Sequence, residues 1–206
     1  MKKKKIAAIY GSPRRNGNTD ILLSKAVQGA EDAGAIVDSI VLRDYKISPC
    51  LEIYGCKKNG ECAIVDDFQQ VRDRILISDA IMIATPIFFY TVSAHVKIFM
   101  DRCQSLWVKK YWIEGNKASD NQTPKPSIVI AAGATKGKKL FDGMLLSMKY
   151  FLDVLDAEVE STLLCREVDL KGEVHAFPEY MDEASRLGAN LARLYPKPEE
   201  VSLLRE

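Results

Sequence analysis

Histidine is scarce in this chain of 206 residues, and His95 and His175 form no recognisable catalytic pair. Charge of one sign is missing too: 29 basic residues stand against 28 acidic ones, so the balance gives no reason to expect nucleic acid or an anionic membrane as partner. No apolar run approaches the ~20 residues that a membrane span requires. The lysines of Met1-Lys2-Lys3-Lys4-Lys5 look like the start of an export signal, but the apolar stretch behind them ends at Gly11, too soon for one. An odd count of five cysteines argues against a disulfide scaffold and for a reducing compartment, so a cytoplasmic location is expected. Two nucleotide fingerprints are absent as well. Gly17 is followed by Asn18-Thr19 rather than Lys-Ser/Thr, which disfavours a nucleoside triphosphate, and Gly11-Ser12-Pro13-Arg14 lacks the three glycines of a dinucleotide turn.

What is present is a regular alternation. Short β-branched runs at Ile6 to Tyr10, Ile36 to Leu42, Ala80 to Thr85, Ser127 to Ala131 and Glu158 to Leu164 predict strands. Between them, amphipathic segments predict helices near Thr19 to Ala33, Asp67 to Ser78, Ser93 to Val108, Gly137 to Leu155 and Pro178 to Tyr195. Nearly continuous hydrophobicity in the strands suits a parallel sheet covered on both faces. The expected fold is therefore a single α/β domain over 1–206, a flavodoxin-like doubly wound sheet of five parallel strands in the order 2-1-3-4-5. In such sheets ligands bind outside the carboxyl ends of the strands, so the loops after strands one, three and four should converge.

Those loops carry the suggestive chemistry. After strand one, Ser12, Asn16, Asn18 and Thr19 offer side-chain hydrogen bonds, Arg14 or Arg15 offers charge, and the start of the next helix offers free N–H groups. This pattern suits a single terminal phosphate such as that of FMN; the plain alternative is a helix start capped by Asn18 or Thr19. After strand three, Pro86 ends the strand and Ile87-Phe88-Phe89-Tyr90 follow, either to pack on a flat ring system or to anchor the loop in the core or against another subunit. After strand four, Gly133 and its small neighbours allow close approach and could border a ring's other side, or simply enter the next helix. Two segments interrupt the rhythm: Asp44 to Asp66, with Cys50, Cys56 and Cys62, and Lys109 to Pro126, a long loop with Trp112 that could lid a site or bury Trp112 against a neighbour. Cys103 and Cys165, in apolar segments, read as inert core thiols, and the tail beyond Pro196 reads as surface or an oligomer arm.

Gly11-Ser12-Pro13-Arg14 with Gly17-Asn18-Thr19, Thr85-Pro86-Ile87-Phe88-Phe89, and Val92 through Arg102 together resemble the NADPH-dependent FMN reductase family of flavodoxin-like proteins. The resemblance is strong over the first half of the chain. It implies that Ser12, Arg14, Asn16, Asn18 and Thr19 hold the FMN phosphate, that Pro86, Ile87, Phe88 and Phe89 line the isoalloxazine with Gly133 bordering it, and that Lys97 and Asp101-Arg102 are structural. It also implies NAD(P)H as co-substrate, a small acceptor such as a quinone or flavin, and a homodimer or homotetramer. No protein side chain is required as catalyst, because the chemistry belongs to the flavin. The cysteine loop is similar to that of the iron-sulfur flavoprotein branch, whose four cysteines bind a cluster; Cys50, Cys56 and Cys62 match three positions and Ile53 the fourth. Isoleucine cannot coordinate iron, so a four-iron cluster is not expected; a three-cysteine cluster, a zinc site completed by another residue, a fourth ligand from elsewhere, or a decayed loop whose thiols are free or redox-active stay open. The rival function is a flavodoxin-like or iron-sulfur-flavoprotein-type electron carrier serving a protein partner, which the near-neutral charge disfavours.

Overall fold

The computed structural model describes residues 3–115 and 123–194. Five strands, β1 (Lys5–Tyr10), β2 (Ile36–Val41), β3 (Ala80–Pro86), β4 (Lys125–Gly133) and β5 (Ala157–Arg166), form one sheet in the order β2-β1-β3-β4-β5. Every neighbouring pair is parallel, with Ile9 opposite Ile40 on one side and Ile83 on the other. The flavodoxin-like order expected from the strand rhythm is thus the observed one.

Strand alternation divides the core between the two faces of the sheet. Ala7, Ile9, Ile81 and Ile83 point to the face covered by α3 (Asp67–Leu76), α4 (Ala94–Arg102) and α6 (Asp142–Asp153), where Phe68, Phe99 and Phe151 pack as tilted and edge-on rings. Ile6, Ala8, Met82 and Ile130 point to the face covered by α1 (Asn18–Asp32) and α7 (Pro178–Arg193). These two helices touch backbone to backbone: a Cβ on Gly29 would lie 2.0 Å from the Ser185 oxygen, and one on Gly188 would lie 1.8 Å from the Ala26 oxygen. Local chemistry sets the starts. Asp66 and Gln69 close a capping box on α3, Ser93 caps α4 through the Val96 N–H, and Pro178 occupies the first turn of α7.

Three boundaries depart from the sequence expectation. The helix expected over Ser93 to Val108 breaks at Cys103, whose N–H is shared between the Phe99 and Met100 oxygens, and restarts as α5 (Gln104–Trp107). The chain then winds through a π-helical turn, Val108–Ile113, so the expected loop from Lys109 is helical in its first residues and Trp112 packs edge-on against Trp107. The rest of that loop, residues 116–122, lies outside the described residues, as do residues 1–2 and the tail from 195 onward. Second, α6 begins at Asp142 rather than near Gly137, because the chain first makes tight turns at Gly137 and Lys139. Third, the Asp44 to Asp66 segment is not wholly loop: Leu42–Asp44 forms a 3-10 turn and Cys56–Asn59 a single helical turn, α2.

Candidate functional site

The carboxyl ends of β1, β3 and β4 place their three loops side by side, and hydrogen bonds join them. Gly11 N–H donates to the Ala84 oxygen at 2.8 Å, Ser93 Oγ donates to the Gly11 oxygen at 2.5 Å, and Ile87 N–H donates to the Ala132 oxygen at 2.9 Å. The first loop must pass close to β3: a Cβ on Gly11 would sit 2.3 Å from Val96 Cγ2 and 2.7 Å from the Ala84 oxygen.

The helix start is open. Gly17, not Asn18 or Thr19, is the N-cap of α1, and no side chain caps it. The capped-helix alternative therefore does not describe this loop, and the first-turn N–H groups remain available to an anion. The side chains have sorted themselves. Ser12 Oγ accepts from Arg14 N–H and donates to the Arg14 oxygen, both at 3.1 Å, which folds the loop back on itself. Arg14 and Asn16 are exposed, Asn16 with φ 54° in the left-handed region, and Thr19 is buried at the helix start. Arg15, also exposed, pairs with Asp44 at 2.5 Å. Asn18 is committed elsewhere: its amide donates to the Leu170 oxygen at 2.9 Å and accepts from Val174 N–H at 3.3 Å, so its own backbone N–H is what it offers an anion.

The aromatic loop is a tight turn rather than a core anchor. Phe88 and Thr91 exchange two backbone hydrogen bonds of 3.0 Å, with Phe89 (φ 48°) and Tyr90 (φ 61°) both left-handed between them. Phe89 is 100 % exposed, and Phe88 and Tyr90 are about half exposed, at 48 % and 54 %. Non-glycine residues held in this conformation cost of order 1 kcal/mol each, so the turn spends stability to present rings. Gly133, at the end of β4, lies against Ile87 and Leu140 across the same edge of the sheet. The arrangement is an uncapped helix start beside an exposed aromatic turn, with the apolar Ile87 and the small Gly133 between the loops. An open cleft of about 650 Å³ begins at Asn16 and follows α1 to His175, and a hollow of about 320 Å³ at Ile128, Glu160 and Leu191 lies toward the opposite edge of the sheet.

Two side chains beneath the first loop were not singled out by its sequence. Arg43, just after β2, donates through Nη1 to the Ser12 oxygen and pairs with Asp20 Oδ2, both at 2.9 Å. Asp20 Oδ2 also accepts from Asn16 N–H at 3.1 Å. Burial pushes the Asp20 carboxyl above the ordinary range, against the pull of Arg43. The two histidines do not join the site as a pair: His175 is exposed in a 3-10 turn, and His95 buries Nδ1 without a partner among the described residues.

The cysteine loop is organised by Arg102, whose side chain is fully buried. Its guanidinium donates to the Ser48 oxygen (2.9 Å), Asp66 Oδ2 (2.7 Å), the Ile64 oxygen (2.9 Å) and Cys62 Sγ (3.3 Å). Among the described residues no three His, Cys, Asp or Glu side chains converge in a way that could hold a metal, and Ile53 is 59 % exposed. Within this loop Cys50, Cys56 and Cys62 supply three thiolates, one fewer than a four-iron cluster takes. Cys103 and Cys165 are buried; burial drives the Cys103 thiol far up and the Cys165 thiol to about 12.

Sheet order defines a doubly wound α/β protein of the flavodoxin type, with the loops after β1, β3 and β4 gathered at the carboxyl ends of its strands. Residues 4–155 match the family model of the NADPH-dependent FMN reductases, and the chain belongs to that family. An iron-sulfur flavoprotein of Methanocaldococcus jannaschii is 35% identical over 102 residues, 50% of this chain and 53% of that protein. A Bacillus subtilis protein with the provisional name NAD(P)H-dependent FMN-containing oxidoreductase is 38% identical over 98 residues, 48% of this chain and 51% of that protein. The chain thus spans about half the length of the curated relatives it matches. An NAD(P)H:quinone oxidoreductase from Methanothermobacter marburgensis superposes with a TM-score of 0.70 at 16% identity, covering 94% of this chain and 98% of that one, which shows the shared fold.

Proposed function

We propose that this protein is an FMN-dependent oxidoreductase that takes electrons from NAD(P)H and passes them to a small acceptor such as a quinone or a flavin. The observation that carries the reading is the uncapped start of α1, held beside the exposed turn Phe88–Tyr90 at one end of the sheet. Such a site suits a ligand with a dianionic tail and a flat apolar head.

FMN, when bound, supplies the electron-accepting chemistry, and the protein's part is to bind, orient and shield it. The N–H groups at the start of α1 and the Thr19 hydroxyl would be the donors for the phosphate, with Ser12, whose hydroxyl proton goes to the Arg14 oxygen, shaping the loop, Arg14 supplying charge from the rim and Asn16 closing the loop. Phe88, Phe89, Pro86 and Ile87 would lie along the ring system, with Gly133 leaving space at its border. The open aromatic side leaves room for a co-substrate and then an acceptor to approach in turn.

We assign the exposed apolar side chains of Trp112 (58 % exposed) and Tyr150 (65 %) to contact between subunits of a homodimer or homotetramer. Five free cysteines suit a cytoplasmic setting.

Titrating the flavin-free protein with FMN, following quenching of flavin fluorescence, tests the site. Anaerobic addition of NADH or NADPH should then bleach the flavin. Absence of FMN uptake overturns the reading; uptake with bleaching only by a reduced protein, and never by either pyridine nucleotide, makes the chain an electron carrier instead. A monomer by light scattering with FMN bound would remove the subunit contact.

A further inference from the structure

Arg43 and Asp20 link the two ends of the first loop through one guanidinium nitrogen. The run goes from the Ser12 oxygen to Arg43 Nη1 (2.9 Å), to Asp20 Oδ2 (2.9 Å), to Asn16 N–H (3.1 Å). We propose that this pair is a preset brace which fixes the Ser12–Asn16 loop in the shape that accepts a phosphate monoester. Both are positioning residues, acting through the loop. The proposal rests on the FMN reading above.

Three observations carry it. First, the pair is poorly explained as a stabilising device. Both side chains are deeply buried, 12 % and 7 % exposed, and Arg43 Nε and Asp20 Oδ1 have no partner among the described residues. Buried ion pairs with unsatisfied atoms contribute little or nothing compared with apolar residues of the same shape, so a conformational role is the better account. Second, Asp20 stands in the first turn of α1, where a carboxylate would ordinarily serve the helix's own N–H groups. Turned instead toward Arg43 and Asn16, it leaves those groups to an incoming anion. Its charge would repel a phosphate, and Arg43 cancels it. Third, the brace spans separate elements. Arg43 and Asp44 follow β2, and Asp44 adds a surface tie to Arg15, so one short turn grips the loop at Ser12, at Arg15 and, through Asp20, at Asn16. Asn16 is thereby held left-handed, at φ 54°.

The test compares two ligands that differ only in the phosphate. Flavin fluorescence gives the affinity of the flavin-free protein for FMN and for riboflavin. In Arg43→Met the bare Asp20 carboxylate faces the phosphate in a loosened loop, and FMN affinity should fall about tenfold or more while riboflavin affinity changes less than about twofold. Adding Asp20→Asn to Arg43→Met removes the uncompensated carboxyl and should recover part of the FMN loss. Arg43→Lys keeps the charge without the fork and should lie between, which keeps the test valid if Arg43→Met does not fold. An unchanged FMN-to-riboflavin ratio in the variants that fold, whether both affinities fall together or neither moves, overturns the brace alone. A wild-type chain that takes up no FMN, or binds both flavins equally, overturns the phosphate loop itself.

Discussion

Replacing Arg102 by Met should release the cysteine loop from the core. The guanidinium makes four polar contacts and lies 4.7 Å from the centre of the Phe68 ring, and every polar partner belongs to the segment from Ser48 to Asp66. Methionine retains much of the apolar stem but none of the donors. Removing one partner of a buried ion pair costs about 3–5 kcal/mol. The lower end applies here, since Asp66 still accepts from Ser48 N–H and Phe68 N–H at 2.9 Å, and the Ile64 oxygen still accepts from Gln69. A loss of about 3 kcal/mol corresponds to a fall in Tm of about 6–12 °C for a domain of this size.

The pH dependence has a definite sign. Burial pushes the Asp66 carboxyl up, but hydrogen bonds from Arg102, Ser48 N–H and Phe68 N–H outweigh it and hold it below the ordinary carboxylate range. A lowered folded-state value stabilises above the unfolded value, about 4, and that stabilisation disappears as pH falls through the folded value. The gap between wild type and Arg102→Met should therefore be full at pH 7 and narrow below about pH 4. Urea unfolding across pH measures the gap, and hydrogen exchange locates it, with amides of residues 46–66 losing protection before those of β1 and β3. A loss under about 1 kcal/mol at pH 7, or a gap that widens in acid, would refute the argument.

Gly11→Ala drives a methyl group to within 2.3 Å of Val96 Cγ2 and should destabilise the fold by about 1–3 kcal/mol in chemical denaturation, with FMN affinity falling as the loop moves. Phe89→Gly relieves a left-handed non-glycine residue whose ring touches water on all sides; it should raise stability by about 1 kcal/mol while weakening flavin binding, and a loss of stability would refute the account of the turn. In native protein, brief alkylation read by mass spectrometry should mark Cys50, Cys56 and Cys62 and spare Cys103 and Cys165, which become reactive only on unfolding.

The sheet was legible because its information is local. Ile6 to Tyr10 and Ala80 to Thr85 are short apolar runs followed by Gly11 and Pro86, and burial on both faces leaves no room for another reading. Helix ends were less so. Ser93 to Val108 carries one continuous helical pattern, and the break at Cys103 depends on a bifurcated hydrogen bond and a π-turn that residue types do not announce. The site was legible in part for the same reason. Its polar loop and aromatic trio stand out as residues, whereas the brace joins Asp20 to Arg43 across a strand crossover, and the tie between Arg102 and Cys62 spans forty positions of sequence.

Local pattern also could not tell which way the rings point. Ile87-Phe88-Phe89-Tyr90 has the hydrophobicity of a core segment, and only the paired left-handed residues turn Phe89 fully outward. Selection for stability alone would place glycine or asparagine there. Aromatic side chains kept at a strained turn, next to a helix whose first N–H groups are left uncapped, are two local departures from good folding chemistry at the same end of the sheet. Such departures gather where a protein meets its ligand, because there binding compensates what folding gives up.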